Sequence, residues 1–214
     1  MKKLRAFLAV NLSVPATRAV ADLGEAVRRE LGENAQAMRV AWVPAANLHV
    51  TLKFLGWTSE EALEAVADRL RRELLRRPAV EVRARGLGVF PTATSPRVIW
   101  CGLEDLASGL GNLARDVDKW MSELGFIKEE RPFRAHLTLG RVKEGRASME
   151  ELIGKYAEKD CGTSVIREVV VYESRLRAQG AEYVARARVP LGGGGREPTR
   201  PAQETKKEEA PNAK

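Results

Sequence analysis

The segment LHVTLKFLG at residues 48–56 recurs in outline as AHLTLGRV at residues 135–142. Each segment alternates apolar and polar side chains, which is typical of a half-buried β-strand, and each contains the motif His-x-Thr-Leu. Their histidines, His49 and His136, lie 87 positions apart and are the only two histidines in the chain. The repeat predicts two similar halves that each contribute one strand of the same chemical character.

Strand geometry pairs each histidine with a threonine. Because side chains at positions i and i+2 point to the same face of a strand, we expect His49 beside Thr51 and His136 beside Thr138. Two such strands facing each other would form a cleft lined by two imidazoles and two hydroxyls. A single histidine in an apolar strand is usually a core residue, but core filling does not explain the repeat.

Such a cleft has the groups that cleave a phosphodiester bond. The reaction needs a base for the proton of the attacking oxygen and an acid for the departing oxygen. Imidazole, whose ordinary pKa is ~6.5, serves in either role near neutral pH. Threonine hydroxyls and a nearby arginine such as Arg141 would bind the remaining phosphate oxygens. In a regular strand Lys53 would point to the same face as His49. This predicts that Lys53 either contacts the phosphate or is a solvated lysine at the rim of the cleft.

A metal site is the weaker alternative for the two histidines. No third Asp, Glu or Cys ligand lies at a recognisable spacing from them. The two cysteines, Cys101 and Cys161, are 60 positions apart and form no Cys-x-x-Cys pair. We therefore predict two buried free thiols, no bound metal and no cofactor.

Composition predicts a basic globular body followed by a tail. The 214 residues are 44% hydrophobic, and 36 Lys and Arg against 29 Asp and Glu give a net charge of +7. Residues 192–214 begin with GGGG, lack aromatic residues and are rich in Pro, Glu, Lys and Ala, so we predict a disordered tail. That tail carries a net charge of +1, which leaves +6 on residues 1–191. A positive field of this kind favours a polyanionic partner.

Targeting and membrane signals are weak in this sequence. No stretch reaches the roughly 18 apolar residues that a membrane-spanning helix needs. The apolar run at residues 4–12 is interrupted by Arg5 and Asn11 and has no small-residue cleavage site, so it predicts a strand and not a signal peptide. We expect no membrane partner and a cytoplasmic location.

Periodicity and breaker residues predict a mixed α+β chain. Helices are expected at about 17–31, 59–77, 104–125 and 148–155, with strands between and after them. Residues 91–96 are predicted to form a loop between two strands rather than a tight hairpin. Two long strands, at residues 164–176 and 182–191, are predicted to end the folded part around a turn at Gln179 and Gly180.

With these motifs the chain resembles the two-histidine (2H) phosphoesterases and, within them, the RNA 2′,3′-cyclic phosphodiesterase or 2′-5′ RNA ligase family. The likeness covers about residues 3–191 and rests on RAFLAV, WVPAANLHVTLKFLG, FPTATSPRVIWCGL, RPFRAHLTLGRV and YESRLRAQGAEYV. The resemblance implies an α+β fold with a single bilobal domain in residues 1–191. Two similar antiparallel β-sheets would line a central groove, with the helices on the outside.

The resemblance also implies an activity and a role for each site residue. Members of this branch open RNA 2′,3′-cyclic phosphates to 2′-phosphomonoesters without a metal, and some join tRNA halves through a 2′-5′ bond by the reverse reaction. Carried onto this chain, His49 would be the general acid for the 3′ oxygen and His136 the general base for water. The side chains implied for substrate binding are those of Thr51, Thr138 and Arg141 on the phosphate and of Phe54 on the terminal base.

Regular alternation disagrees with two of those roles. Phe54 and Arg141 each follow their histidine by five positions, so an ideal strand would point them to the opposite face. Each reaches the groove only if its strand bulges or ends first, which Gly56 and Gly140 make possible. Otherwise Phe54 would be a core aromatic and Arg141 a surface arginine.

Two other functions fit the same features. One is a non-catalytic module that binds RNA ends, which the positive charge favours. The other is a sister 2H enzyme that acts on small cyclic nucleotides and would have a narrower, less basic groove. The four tryptophans, Trp42, Trp57, Trp100 and Trp120, are expected to pack in the core or between the lobes rather than to contact RNA.

Overall fold

The computed structural model describes residues 3–33, 38–177 and 180–192. The predicted tail lies outside the described residues except for Gly192, and so does Gln179 of the predicted turn. Within the described ranges no helix is both long enough and apolar enough to cross a membrane.

The described ranges form nine strands and four α-helices. In chain order they are β1 (Leu4–Val10), α1 (Val14–Glu33), β2 (Met38–Trp42), β3 (Val50–Thr58), α2 (Glu60–Leu74), β4 (Val80–Thr92), β5 (Ser95–Asp105), α3 (Gly109–Glu123), β6 (His136–Gly145), α4 (Glu150–Tyr156), β7 (Asp160–Ile166), β8 (Glu168–Arg177) and β9 (Gly180–Pro190). A short 3₁₀ turn, Ala45–Asn47, precedes β3.

The strands form two antiparallel sheets, which confirms the predicted fold class. The first sheet has the order β3-β1-β8-β9, and the second has the order β2-β6-β5-β4-β7. The series β3-β1-β8-β9 corresponds to β6-β5-β4-β7, because in each the His-x-Thr strand pairs with the preceding strand of its own sheet. The two motif strands therefore occupy corresponding places in the two sheets, except that β3 is an edge strand and β6 is flanked by β2.

The helices cover the sheets and follow the predicted signals. Helix α2 begins after Ser59, whose Oγ accepts a hydrogen bond from the Ala62 amide at 3.2 Å, and acidic residues occupy its first turn. Both features stabilise a helix N-terminus. Helix α2 packs on β8 and β9, and α1 packs on β6 and β7 of the other sheet. Helix α3 contacts strands of both sheets, β3 on one side and β4 and β5 on the other.

The prediction of an open loop at residues 91–96 is wrong. Strands β4 and β5 pair as far as Thr92 and Ser95, so only Ala93 and Thr94 form the turn. Proline normally interrupts a strand because it has no amide hydrogen to donate. Here Pro91 and Pro96 lie opposite each other at the end of the ladder, next to a register shift, where missing donors are tolerated.

The prediction of one strand over residues 164–176 is also wrong. The chain leaves the second sheet after Ile166, and β8 enters the first sheet at Glu168, so Arg167 is the crossing point. The β-branched run around Arg167 has no glycine or proline to mark the break, which explains why sequence pattern alone missed it.

The tryptophans and cysteines give mixed outcomes. Cys101 and Cys161 are buried free thiols, as predicted. Trp120 is buried, which agrees with a packing role. Trp57 is 67% exposed, so the predicted packing role is wrong for this residue.

Candidate active site

Both histidines lie where a motif strand begins. His136 is the first residue of β6, and His49 immediately precedes β3. The 3₁₀ turn leads the chain into His49, and the Asn47 side-chain amide holds that turn by donating to the Ala181 carbonyl of β9 at 2.8 Å. Strands β3 and β6 approach each other, so the two sheets bring the histidine strands together.

The two imidazoles are anchored in the same way. The Nδ1 atom of His49 lies 2.7 Å from the Asn47 carbonyl oxygen, and Nδ1 of His136 lies 2.7 Å from the Arg134 carbonyl oxygen. A carbonyl oxygen only accepts, so each Nδ1 carries a proton and each Nε2 is the basic nitrogen of the neutral ring. Nε2 of His49 lies 3.1 Å from Thr51 Oγ1. The reactive nitrogen of each ring is therefore the one on the far side from the backbone.

A bulge in β3 turns Phe54 toward the face of His49. Phe7 of β1 pairs with Phe54, Leu8 pairs with Lys53 and Ala9 pairs with Thr51, so Leu52 is an extra residue in the ladder. The bulge places Thr51 and Phe54 on one face. The Phe54 side chain is 56% exposed, and its ring lies 6.2 Å from that of Phe7.

The glycine expected to permit this reorientation, Gly56, lies at a second register shift farther along β3. Its φ of +70° belongs to the left-handed region that favours glycine. The change of face at Phe54 is already complete before Gly56. It is the extra Leu52, not Gly56, that turns the strand.

A bulge at the equivalent position of β6 reorients Arg141. Trp100 of β5 pairs with Thr138 and Ile99 pairs with Gly140, which leaves Leu139 as the extra residue. Arg141 then shares the face of Thr138 and is exposed. Glycine is required beside this bulge, because a Cβ on Gly140 would lie 2.7 Å from a methyl carbon of Val40 on β2.

Lys53 lies neither at the phosphate site nor at a solvated rim of the cleft, so both predictions for it are wrong. The bulge turns it to the face opposite His49, where it is 1% exposed and its Nζ lies 2.6 Å from Asp118 Oδ1 of α3. The same Nζ donates to the Ile127 carbonyl, and Asp118 Oδ1 also accepts from the Glu129 amide at 3.0 Å. Lys53 is thus a buried cation that connects β3 to α3 and to the loop between α3 and β6.

Aromatic rings surround both histidines, and sequence reasoning missed them. The ring of Phe7 lies 4.9 Å from His49, and Tyr183 meets the same imidazole edge-on at 5.1 Å. Phe90 meets His136 edge-on at 5.2 Å, and Trp100 lies 6.3 Å from it. These residues come from strands β1, β4, β5 and β9, so only knowledge of the strand order could have found them.

The surroundings lower the pKa of both imidazoles. Burial is the main cause for His49 and for His136, because it disfavours the charged ring. The hydrogen bonds to the Asn47 and Arg134 carbonyls raise each pKa in part, and the positive charge of Arg141 lowers both. His136 also lowers the pKa of His49. Both rings are therefore mainly neutral at pH 7 in the free protein.

The arrangement can move two protons at one bound group. Two Nε2 atoms, two threonine hydroxyls and one guanidinium belong to the paired faces of β3 and β6, which suits acid–base work on an anion. Among the described residues, no three His, Cys, Asp or Glu side chains are grouped as metal ligands would be. Fold and site together define a class: two-lobed α+β proteins with one His-x-Thr strand in each sheet.

Comparison with known families agrees with this class. The model of the family described as LigT like Phosphoesterase matches residues 14–100 and 102–183. These two segments make up most of the chain, and each contains one of the histidines. The chain belongs to this family of LigT-like phosphoesterases, which confirms the resemblance seen in its motifs.

Relatives and solved structures extend along nearly the whole folded part. The Aquifex aeolicus protein named RNA 2′,3′-cyclic phosphodiesterase is 30% identical over 195 residues, which are 90% of this chain and 100% of that protein. A Methanothermobacter thermautotrophicus protein of the same name is 34% identical over 183 residues, 85% of this chain and 95% of its own.

Two crystal structures show the same fold. The Thermus thermophilus protein TT0787 has a TM-score of 0.73 and 26% identity, covering 89% of this chain and 100% of that one. LigT of E. coli, solved with 3′-AMP, has a TM-score of 0.64 and 24% identity, with coverage of 89% and 99%.

Proposed function

We propose that this protein is an RNA 2′,3′-cyclic phosphodiesterase, an enzyme that opens a terminal 2′,3′-cyclic phosphate to a 2′-phosphomonoester. The observation that carries the proposal is the pair of imidazoles with identical Nδ1 anchors, at 2.7 Å each, on equivalent strands of two sheets. The names of relatives at 30% and 34% identity support the substrate class. The net charge of +7 is suited to a polyanionic substrate.

The reaction needs one proton transfer on each side of phosphorus. In our proposal, Nε2 of neutral His136 takes a proton from water while the water oxygen forms a bond to phosphorus. The bond from phosphorus to the 3′ oxygen breaks, and protonated His49 gives its Nε2 proton to that oxygen. The products are a 2′-phosphomonoester and a 3′-hydroxyl. Solvent then takes the proton from His136 and supplies a new proton to His49.

The substrate itself helps to prepare the acid. The pKa of His49 is lowered by burial and then by the charge of Arg141, so the ring is mainly neutral before binding. The anionic cyclic phosphate brings a negative charge beside the imidazole, which favours its protonated form. Binding of substrate therefore raises the fraction of His49 that can act as an acid.

The remaining site residues are assigned to binding. Thr51, Thr138 and Arg141 share the faces of the two histidines, and we assign them to the oxygens of the cyclic phosphate. Phe54 is 56% exposed on the face of Thr51, and we assign it to stacking on the terminal base. Stacking of this kind contributes about 1–3 kcal/mol per base.

The finer substrate and location are part of the same proposal. RNA with cyclic phosphate ends, including tRNA halves, would be the substrate, and reversal of the opening step would join such halves through a 2′-5′ bond. We also place the activity in the cytoplasm. We also propose that residues 1–191 fold as one bilobal domain.

The test compares turnover with binding. Wild-type protein is incubated with a fluorescent RNA ending in a 2′,3′-cyclic phosphate, with the same RNA ending in a 3′-hydroxyl and with a 2′,3′-cyclic mononucleotide. The two RNAs are followed by electrophoresis and by anisotropy, and the mononucleotide by chromatography. The proposal predicts conversion of the cyclic end to a monoester with repeated turnover. Tight binding without conversion would instead identify a non-catalytic RNA-end module. Conversion of a cyclic mononucleotide alone would identify the sister activity on small nucleotides.

A further inference from the structure

Strand β3 carries a second exposed aromatic residue beyond Phe54. Trp57 is 67% exposed and pairs with Arg5 of β1, just as Phe54 pairs with Phe7. Residues opposite each other in an antiparallel pair share a face, and so do residues two apart in one strand. Arg5, Phe7, Phe54 and Trp57 therefore belong to one face of the first sheet.

The side chains on that face lie at increasing distance from His49. The ring of Phe7 contacts the imidazole at 4.9 Å, and Phe54 lies beside Phe7 at 6.2 Å. Arg5 and Trp57 are one step farther, which is about 6.6 Å along a strand that rises ~3.3 Å per residue. A step of this size is comparable with the length of one extended nucleotide.

The Arg5 side chain, which lies opposite Trp57, is available to bind a ligand. The Arg5 side chain is exposed, and no carboxylate of the described residues forms an ion pair with it. A guanidinium and an indole on one surface match the two parts of a nucleotide, since arginine binds phosphate and aromatic rings stack on bases.

We propose that Trp57 and Arg5 form a subsite for the second nucleotide from the RNA end. The penultimate base stacks on the Trp57 indole, and the phosphodiester between the last two nucleotides binds Arg5. This inference rests on the proposed function, which places the terminal cyclic phosphate between the histidines and the last base at Phe54. Stacking tolerates every base, so the subsite senses the presence of a second nucleotide and not its identity.

A second copy of the chain is the competing occupant, because β3 is an edge strand of its sheet. An edge strand can pair with another edge and form a continuous sheet. Two register shifts interrupt β3, between its partners Ala6 and Phe7 and between Leu8 and Ala9. Bulges of this kind disfavour edge pairing, and an arginine beside the indole suits a phosphate better than an apolar interface.

The subsite predicts a preference for length. A dinucleotide that ends in a 2′,3′-cyclic phosphate has a second base and one internal phosphodiester, whereas the matching mononucleotide has neither. Wild-type kcat/KM for the dinucleotide should exceed that for the mononucleotide by about 5- to 150-fold, the gain that one stacked base provides. The ratio of the two kcat/KM values isolates this gain from the chemistry at the histidines.

The variant W57A tests the indole. Its ratio of kcat/KM values should fall most of the way toward one, leaving only the gain that the Arg5 contact provides, and W57F should restore most of the wild-type ratio because it keeps an aromatic ring. L106A removes an exposed apolar side chain in the turn between β5 of the other sheet and α3, and should keep the wild-type ratio. Thermal denaturation of each variant checks that the fold is retained.

The variant R5Q tests the phosphate contact. Removing one cationic contact with a single-stranded nucleic acid should reduce the slope of log(kcat/KM) against log salt by about 0.7 for the dinucleotide. The mononucleotide lacks the internal phosphodiester, so its slope reports only on the contacts at the cyclic phosphate. Equal slopes for wild type and R5Q with the dinucleotide would show that Arg5 does not bind the internal phosphodiester.

Calorimetric titration separates this inference from the proposed function. Mono- and dinucleotides that carry a 2′-phosphate are titrated into wild type and W57A, so binding is measured without turnover. If wild type opens no cyclic phosphate, the proposed function fails, but tighter binding of the dinucleotide that W57A loses would still support the subsite. Equal affinities in wild type, an unchanged ratio in W57A, or a wild-type dimer that W57A dissociates would overturn it.

Discussion

The Nδ1 atoms of His49 and His136 each lie 2.7 Å from the carbonyl oxygen of the residue two positions earlier in the chain. The same local bond in both halves fixes the tautomer and the orientation of both rings. It leaves the two Nε2 atoms as equivalent basic nitrogens on equivalent strands. Which imidazole acts as acid and which as base must therefore depend on the substrate and on the surroundings of each ring.

Replacing either histidine should remove most of the activity. We expect H49A and H136A each to lower kcat by about 10²- to 10⁴-fold, since each removes one positioned proton transfer. The kcat of the double variant should be only slightly below that of the less active single variant, because the two groups act in one step. Single-turnover rates on a cyclic-phosphate RNA measure these effects. Full activity in either single variant would refute the paired mechanism.

The activity should be greatest on the acidic side of neutrality. Burial and the charge of Arg141 lower the pKa of both imidazoles. The acid loses its proton as pH rises through its pKa, so the alkaline limb of kcat/KM should lie below about pH 6.5.

The pH profiles of kcat and of kcat/KM should differ in where the alkaline limb lies. The alkaline limb of kcat should lie at higher pH than that of kcat/KM, because the bound anion favours the imidazolium. Profiles of both constants, with NMR titration of the two rings in the free protein, provide the check. Ring pKa values above 6.5 in the free protein would contradict this electrostatic account.

Arg141 should affect both binding and titration. We expect R141Q to lower kcat/KM by about 10- to 150-fold, the value of a charge-assisted hydrogen bond of about 1.5–3 kcal/mol. Because the guanidinium lowers both ring pKa values, its loss should raise them and move the alkaline limb of kcat/KM to higher pH. R39Q, which removes an exposed arginine on the neighbouring strand β2, is the matched control. Unchanged ring titration in R141Q would show that Arg141 does not act on the imidazoles.

Lys53 should matter for stability and not for phosphate binding. We expect K53M to lower the free energy of unfolding by about 3 kcal/mol, because it leaves the Asp118 carboxylate without its buried partner. K143M changes an exposed lysine of β6 and should alter stability by less than about 0.5 kcal/mol. Chemical denaturation measures both. A stable K53M protein with a raised KM would mean that Lys53 serves the substrate after all.

Much of the site could be predicted from the residues alone. The His-x-Thr repeat identifies His49, Thr51, His136 and Thr138 because alternation over two positions holds locally in both strands. The prediction that Phe54 needs a break in its strand to reach the same face agrees with the bulge at this point. What alternation could not supply is the position of the extra residue.

The features that the sequence misplaced or missed have three different physical causes. Lys53 lies directly after the extra Leu52, so counting by two placed it on the wrong face. The break at Arg167 could not be seen in the sequence because β-branched apolar residues lie on both sides of it, at 165–166 and at 169–171, although the two strands belong to different sheets. Aromatic neighbours such as Tyr183 depend on the order of strands in the sheet, which local pattern does not encode.

The central claim is that two imidazoles open a 2′,3′-cyclic phosphate with the 3′ oxygen as leaving group. The most direct measurement is to incubate wild-type protein with a short RNA ending in a 2′,3′-cyclic phosphate in excess chelator and to identify the product by phosphorus NMR. We predict a 2′-phosphomonoester at the rate seen without chelator, since both proton transfers use protein side chains. A 3′-phosphomonoester, or loss of activity that a divalent ion restores, would contradict the account.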